Sequence, residues 1–359
     1  MPDSLRAGPC TIGREGSTVT FLASPPPVDR FDALLLDLDG VVYVGDHAVA
    51  HAASALRGAR SSGVSIAYVT NNASRPPADV AEHLRRIGLD VAPDDVVTSA
   101  QAGAHLMESF VAAGATVLAV GGPGVAQALT DRGFAVVRDR SSTPAAVMQG
   151  FGRDLTWQHL AEAAYALAGG IPWIATNRDL TVPTPDGPAP GNGSFVRLLA
   201  AVVGREPDAV AGKPESTLAL ESIERVGATA PVMVGDRLDT DIEAGHRAGI
   251  PALLVLTGVT DARTLLTAAP HHRPHLLSVD LRGLADEHPG VDSDGAAFRC
   301  GRATATVLEG ALTVSGPATT ASEVACQWRA AASAAWASAV TPDIEGAVRH
   351  LDALCAAVP

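Results

Sequence analysis

One pattern constrains the fold more than any other. Short apolar runs break off abruptly in polar, chemically capable residues: Phe31-Asp-Ala-Leu-Leu-Leu-Asp-Leu-Asp-Gly40, Val64-Ser-Ile-Ala-Tyr-Val-Thr-Asn-Asn72 and Pro231-Val-Met-Val-Gly-Asp236. A run without polar alternation is a strand covered on both faces, as in a parallel sheet, and open parallel sheets place ligands at the carboxyl ends of their strands. The chain is therefore expected to be an α/β protein with several reactive side chains gathered at one sheet edge.

The intervening segments agree. Ala48 to Ser62 has helical period, and Pro76-Pro77 opens a helix carrying Val80, Leu84 and Ile87, closed by Gly88 and followed by the short strand Val96-Val97-Thr98. From Gln101 a second alternation begins: strands at Thr116–Val120, Ala135–Val137, Ala146–Met148 and Trp173–Ala175, with a helix at Trp157–Leu167. The Pro- and Gly-rich stretch Val182–Gly193 is read as a loop returning to the first unit, followed by a helix at Ser194–Val203 and strands at Pro231–Asp236, Ala252–Leu256 and His275–Ser278. After Glu287 come β-prone residues (Ala296–Leu308), a turn at Glu309-Gly310 and two Ala-rich helices, Ser322–Ala339 and Pro342–Ala356. The expected organisation is an irregular N-terminal tail (1–28), a discontinuous α/β core (29–100 and 187–286), an inserted α/β unit (101–186) and a small separate α+β extension (287–359).

Net charge of −13, with no Lys- or Arg-rich stripe, argues against nucleic acid or an anionic membrane surface as partner. No apolar stretch is long enough to span a bilayer, and residues 1–28 lack the apolar core of a signal peptide. The four cysteines, at 10, 300, 326 and 355, have the spacing of neither a zinc site nor a disulfide framework, so free thiols and a cytoplasmic location are expected. Of the 26 basic residues only Lys213 is a lysine, in a Gly- and Pro-rich chain where arginine has taken the other cationic positions.

Four elements carry chemistry. Asp37 and Asp39 permit a division of labour, with Asp37 attacking an electrophile and Asp39 handling the proton of the leaving oxygen; alone, a D-x-D is more often an Asx turn. Thr70-Asn71-Asn72 offers neutral donors suited to phosphoryl oxygens, or a simple turn. Lys213, between Gly212 and Pro214, supplies a compact ammonium for a carboxylate and a phosphate oxygen, or a surface charge. Asp236, with Asp37 and the backbone carbonyl of Asp39, makes an oxygen shell fit for Mg²⁺, while Asp241 sits one shell out; Asp239 is read as an acid favoured by the following helix dipole.

In this order the motifs D-L-D-G-V-V-Y, T-N-N, G-K-P and G-D-R-L-D-T-D resemble those of the haloacid dehalogenase superfamily of phosphatases, over about residues 30 to 285. The insert resembles the subclass IIA cap. The resemblance implies a Rossmann-like core with a C2-type cap and a Mg²⁺-dependent phosphomonoesterase. It makes Asp37 the nucleophile and Asp39 the acid/base, and gives Thr70, Asn71 and Asn72 the phosphoryl group to hold. Lys213 steadies Asp37 and the substrate, Asp236 completes the metal site and Asp241 supports it. The cap segment Ala175-Thr176-Asn177-Arg178-Asp179 resembles its counterpart, which assigns Asn177 to substrate.

Within the family the arrangement looks most like actinobacterial glycerol 3-phosphate phosphatases, whose extra tail resembles part of an acetyltransferase fold. This chain lacks the pyrophosphate loop of acetyl transfer after residue 287. Glycerol 3-phosphate is the first substrate implied, with phosphoglycolate, pyridoxal phosphate or another small phosphomonoester as alternatives; a phosphomutase and a non-enzymatic phospho-receiver share part of the motif set. Gly150-Phe151-Gly152-Arg153 departs from the G-[FY]-D of many relatives, which bears on the identity of the leaving alcohol. Pairing through the caps, common in the subclass, implies a homodimer.

Overall fold

The computed structural model describes residues 21, 23–184 and 186–357. Its central sheet has six parallel strands in the order Leu276–Ser278, Ala252–Val255, Pro231–Gly235, Ala33–Asp37, Ser65–Thr70, Val96–Thr98. Ala33–Asp37 lies in the middle because it is apolar on both faces. Leu34 and Leu36 pack into one buried cluster with Leu56 and Leu84 of the helices Ala52–Ser61 and Pro77–Arg86, whereas Leu35 packs into another on the opposite face. The register sets Asp37 opposite Val69 and Leu36 opposite Val234, so the strands bearing Asp37, Thr70 and Asp236 end side by side.

A second sheet of five parallel strands runs in the order Ala209–Val210, Trp173–Ala175, Ala146–Gln149, Thr116–Val120, Ala135–Val137. It extends beyond the expected boundary at 186/187. The helix Asn192–Val203 buries Val196 and Leu199 against Leu118, Val120 and Trp173 of this sheet, and Ala209–Val210 pairs with Trp173–Ala175, so the chain leaves the inserted unit only after Val210. Val182–Gly193 is not a return loop. It forms an antiparallel hairpin, Thr181–Thr184 with Gly187–Pro190, and its prolines are tolerated because this two-stranded ribbon has no further neighbour requiring their missing N–H.

The extension is not separate either. Its four-stranded antiparallel sheet, Asp292–Ser293, Ala297–Cys300, Ala303–Leu308 and Ala311–Ser315, is joined to the central sheet by the helix Ala321–Ala337. Every residue from Val324 to Ala334 of that helix is buried. A helix buried all round belongs between two layers, and its alanines let both approach: one continuous cluster runs from Leu35, Met233 and Leu277 through Leu265 to Trp328 and Leu312. Arg329 crosses the junction and donates to the Leu277 carbonyl of the edge strand.

Of the expected N-terminal tail, residues 1–20 and 22 lie outside the described residues. The remainder is ordered into the fold: Phe21 stacks on Trp336 at 5.5 Å, Ser24 bridges His288, and Pro27–Arg30 makes a helical turn. No helix among the described residues is long and apolar enough to cross a membrane.

Candidate active site

The carboxyl edge of the central sheet collects the reactive residues. Lys213 is buried, and its Nζ lies 2.5 Å from Asp37 Oδ1 and 2.7 Å from Asp241 Oδ1. Asp37, Asp236 and Asp241 present carboxylate oxygens within 4.8 Å of one another. Both oxygens of Asp241 are occupied, one by Lys213 and the other by the Arg237 N–H at 3.0 Å. Asp236 is fully buried; its Oδ2 accepts from Val259 N at 2.6 Å, while Oδ1 has no partner among the described residues. A buried carboxylate oxygen left unpaired costs free energy, and the carboxylate that bears it clusters with that of Asp37.

Close backbone approach makes this packing possible. A Cβ on Gly258 would stand 1.9 Å from Asp236 Oδ2, and one on Gly235 would stand 2.1 Å from the Asp241 Cβ. Gly40 is pinned by the same loop, since the Thr257 hydroxyl donates to its carbonyl at 2.5 Å. The segment Thr257–Thr260, which fixes Asp236 through Val259 N and the Thr260 hydroxyl, went unrecognised in the sequence. Its signal was present: T-G-V-T follows the apolar strand Ala252–Val255 as the other motifs follow theirs.

The side chains of the three asparagines expected at the phosphoryl group are engaged within the protein. Asn71 Oδ1 accepts from Lys213 N at 2.8 Å and its Nδ2 donates to Lys213 O at 3.0 Å and to Asp179. Its carboxamide clamps the backbone of the lysine. Asn72 Oδ1 accepts from Ser74 N and Oγ, closing a local turn. Asn177, assigned to substrate, is buried with Nδ2 donating to the Asn71 carbonyl at 2.7 Å and Oδ1 accepting from Asp179 N. These three side chains brace the site, and the inserted unit reaches it through Asn177 and Asp179. Thr70 differs: its Oγ1 accepts from Asn72 N at 3.1 Å, which leaves the hydroxyl proton without an acceptor among the described residues.

Comparison with known proteins agrees with this geometry. Residues 34–135 match the family described as haloacid dehalogenase-like hydrolase and residues 210–284 a second, HAD-hydrolase-like description. The D-glycerol 3-phosphate phosphatase of Mycobacterium tuberculosis is 45% identical over 253 residues, 70% of either chain. The chain belongs to the haloacid dehalogenase-like hydrolases. Among solved structures, this hydrolase resembles the glycerol phosphate phosphatase of Mycobacterium tuberculosis in complex with magnesium, with TM-score 0.81 and 38% identity, covering 91% of this chain and 98% of that one. A p-nitrophenyl phosphatase from Archaeoglobus fulgidus, TM-score 0.66 and 30% identity, is covered to 98% but accounts for only 71% of this chain. The difference in coverage is the size of the C-terminal extension.

Electrostatics in the hydrolase follow from three carboxylates facing one ammonium. Burial pushes the Asp37 carboxyl well above its ordinary range, Lys213 opposes that, and the charges of Asp241 and Asp236 reinforce it. Burial and Asp241 likewise push Asp236 up to about 6. Burial works against the Lys213 charge, but Asp241 and Asp37 outweigh it and hold the ammonium above its usual pKa. Asp39 lies further out, at the solvent-exposed mouth, with the Tyr43 hydroxyl 3.3 Å from its Oδ2. Surrounding protein raises its carboxyl, while Tyr43 and the cations Lys213 and Arg75 act in the opposite direction.

Proposed function

We propose that this hydrolase is a Mg²⁺-dependent phosphomonoesterase acting on a small phosphorylated alcohol, with glycerol 3-phosphate the first substrate, through an aspartyl-phosphate on Asp37. The observation that carries it is the contact of Lys213 Nζ with Asp37 Oδ1 at 2.5 Å, in a carboxylate cluster that includes Asp236, whose Oδ1 has no partner among the described residues. A nucleophile oriented by a fixed cation adjoins a carboxylate with one oxygen still to be satisfied. The donors fit Mg²⁺, a hard ion taking carboxylate and carbonyl oxygens: Asp37, Asp236 and the Asp39 carbonyl would hold it. Bound there, it offsets the charge that the carboxylates and a phosphate dianion bring together.

The chain's own residues divide the reaction. An Asp37 oxygen forms a bond to phosphorus as the bond to the alcohol oxygen breaks, and Asp39 gives that oxygen its proton. A water then attacks the phosphorus, Asp39 takes the water's proton, and inorganic phosphate leaves as Asp37 is restored. Lys213 steadies Asp37 and a phosphoryl oxygen, and the Thr70 hydroxyl donates to another. Most of the rate enhancement lies in this fixed positioning of charge. We assign residues 99–211 to the cap, whose Asn177 and Asp179 close against Asn71 and keep bulk water from the first step. Phosphate release across a panel of small phosphomonoesters with Mg²⁺ is expected to rank glycerol 3-phosphate first; failure to release phosphate from any of them refutes the reading.

Lys213→Arg keeps the charge but replaces a compact ammonium with a planar fork. In a buried niche bounded by Asp37 and Asp241, the fork cannot make both short contacts from the same backbone position. We expect kcat to fall by about 10²- to 10³-fold, the loss seen when one fixed donor to developing charge is removed, with KM less affected. Steady-state kinetics on glycerol 3-phosphate checks this.

The free thiols of Cys300, Cys326 and Cys355 support a cytoplasmic setting. A homodimer through the cap is supported by large apolar side chains left exposed on its two packed helices, Trp157 at 77% on one and Leu198 and Val202 (66%) on the other. Sedimentation at micromolar concentration is expected to give a dimer that Trp157→Glu dissociates. A monomeric mass for the unsubstituted protein excludes it.

A further inference from the structure

Away from the catalytic cleft, one side-chain cluster has the composition of a transition-metal site. Glu243, His271 and His272 each present a ligand atom, and the three atoms lie within 4.8 Å of one another. Glu243 opens the helix Glu243–Ala248, and the histidines close the short turn Pro270–His272, where His272 N donates to the Ala269 carbonyl at 2.9 Å. His272 Nε2 is 2.8 Å from Glu243 Oε2, and the two imidazole rings are 4.2 Å apart at their centroids.

The carboxylate is oriented from behind. Its other oxygen, Oε1, accepts from Arg247 Nε at 2.9 Å and from Arg247 Nη2 at 2.6 Å, and Arg247 is itself anchored to Glu215 at 2.7 Å. Outer partners of this kind fix the ligands of metal sites, and here they aim Oε2 at the histidines. His271 is exposed and its ring nitrogens have no hydrogen-bond partner among the described residues, so an ion has an entry path and water can complete the coordination.

We propose that Glu243, His271 and His272 form a second divalent-metal site, selective for a borderline ion such as Zn²⁺, Co²⁺ or Ni²⁺ and distinct from the oxygen-lined cluster of Asp37 and Asp236. Two imidazoles and one carboxylate suit these ions, whereas Mg²⁺ prefers oxygen ligands alone. Because Glu243 lies two residues after Asp241, an ion bound here ties the segment carrying Asp241 to the turn 270–272.

The test is calorimetric titration of Zn²⁺ into the tag-free full chain saturated with Mg²⁺, with Co²⁺ absorption as a second reading of ligand type. One Zn²⁺ per chain is expected. His271→Ala, His272→Ala and Glu243→Gln are each expected to weaken it by about tenfold or more, while Mg²⁺-dependent phosphate release measured without Zn²⁺ is unchanged. Asp236→Asn, which alters the other cluster, is expected to retain the Zn²⁺. Absence of Zn²⁺ binding under Mg²⁺, binding indifferent to removal of both histidines, or binding abolished by Asp236→Asn overturns the proposal.

Discussion

Asp37→Asn is expected to abolish phosphate release, by roughly ten-thousand-fold or more in kcat, the order lost when the nucleophile of a covalent mechanism is removed, and to leave the protein as stable as before or more so without metal. The first effect follows from chemistry: a carboxamide oxygen is a poor nucleophile and cannot yield the same acyl phosphate. The second follows from charge. Asp37, Asp236 and Asp241 share one ammonium, and burial with mutual repulsion raises the carboxyls of Asp37 and Asp236. A carboxyl raised in the folded state binds its proton more tightly folded than unfolded, so stability falls as pH rises from about 4 towards the folded value, near 6 for Asp236. At neutral pH the metal-free fold carries this repulsion, and Asn at 37 removes one negative charge. Melting curves in chelator and malachite-green phosphate assays check both halves. An active, folded Asp37→Asn enzyme refutes the assignment, and a large loss of Tm refutes the account of the charges.

Ending the chain after Asp286 is expected to yield insoluble or unfolded protein rather than a smaller active enzyme. The extension supplies one wall of the main core: Trp328, Val324, Leu312 and Leu351 are buried in the same cluster as Leu254, Leu265 and Leu277. Its polar ties also cross the junction, with Trp336 Nε1 donating to the Leu265 carbonyl at 3.0 Å and Arg329 Nε to the Leu277 carbonyl at 3.1 Å. Each large side chain uncovered forfeits ~1.5–3 kcal/mol, and domains hold only ~5–15 kcal/mol in total, so exposing half a dozen is enough to unfold the domain. Soluble expression, circular dichroism and a thermal melt of the truncated chain decide the matter. A cooperative transition with retained turnover shows that the extension is dispensable for the fold.

Asn71, Asn72 and Asn177 read as donors for a phosphoryl group because carboxamides at a strand end suit that task; an uncharged side chain serves equally well to clamp a backbone, and here all three side chains bond within the protein. Sequence cannot separate the two uses when the partner, Lys213, lies far along the chain from Asn71. The reach of the second sheet is hidden for a similar reason: Ala209–Val210 is too short to show periodicity, and only its pairing with Trp173–Ala175 gives it to that sheet. The extension looked separate because its strands alternate and its helices are rich in alanine. That same alanine content lets the helix Ala321–Ala337 lie between two sheets.

What the sequence determined by itself was the carboxyl edge. A strand buried on both faces must be apolar until it reaches solvent, so Asp37, Thr70 and Asp236 announce their position by ending such runs, and parallel pairing then brings the ends together. Lys213 stood out because arginine had replaced lysine elsewhere. The tertiary structure alone decided which of these side chains remain available: Asp241 is consumed by Lys213 and Arg237, Asn71 by the lysine backbone, and Asp236 keeps one buried oxygen open. Hydrogen-bonding capacity is spent locally in space, and neighbours in space are chosen by the packing of the whole chain.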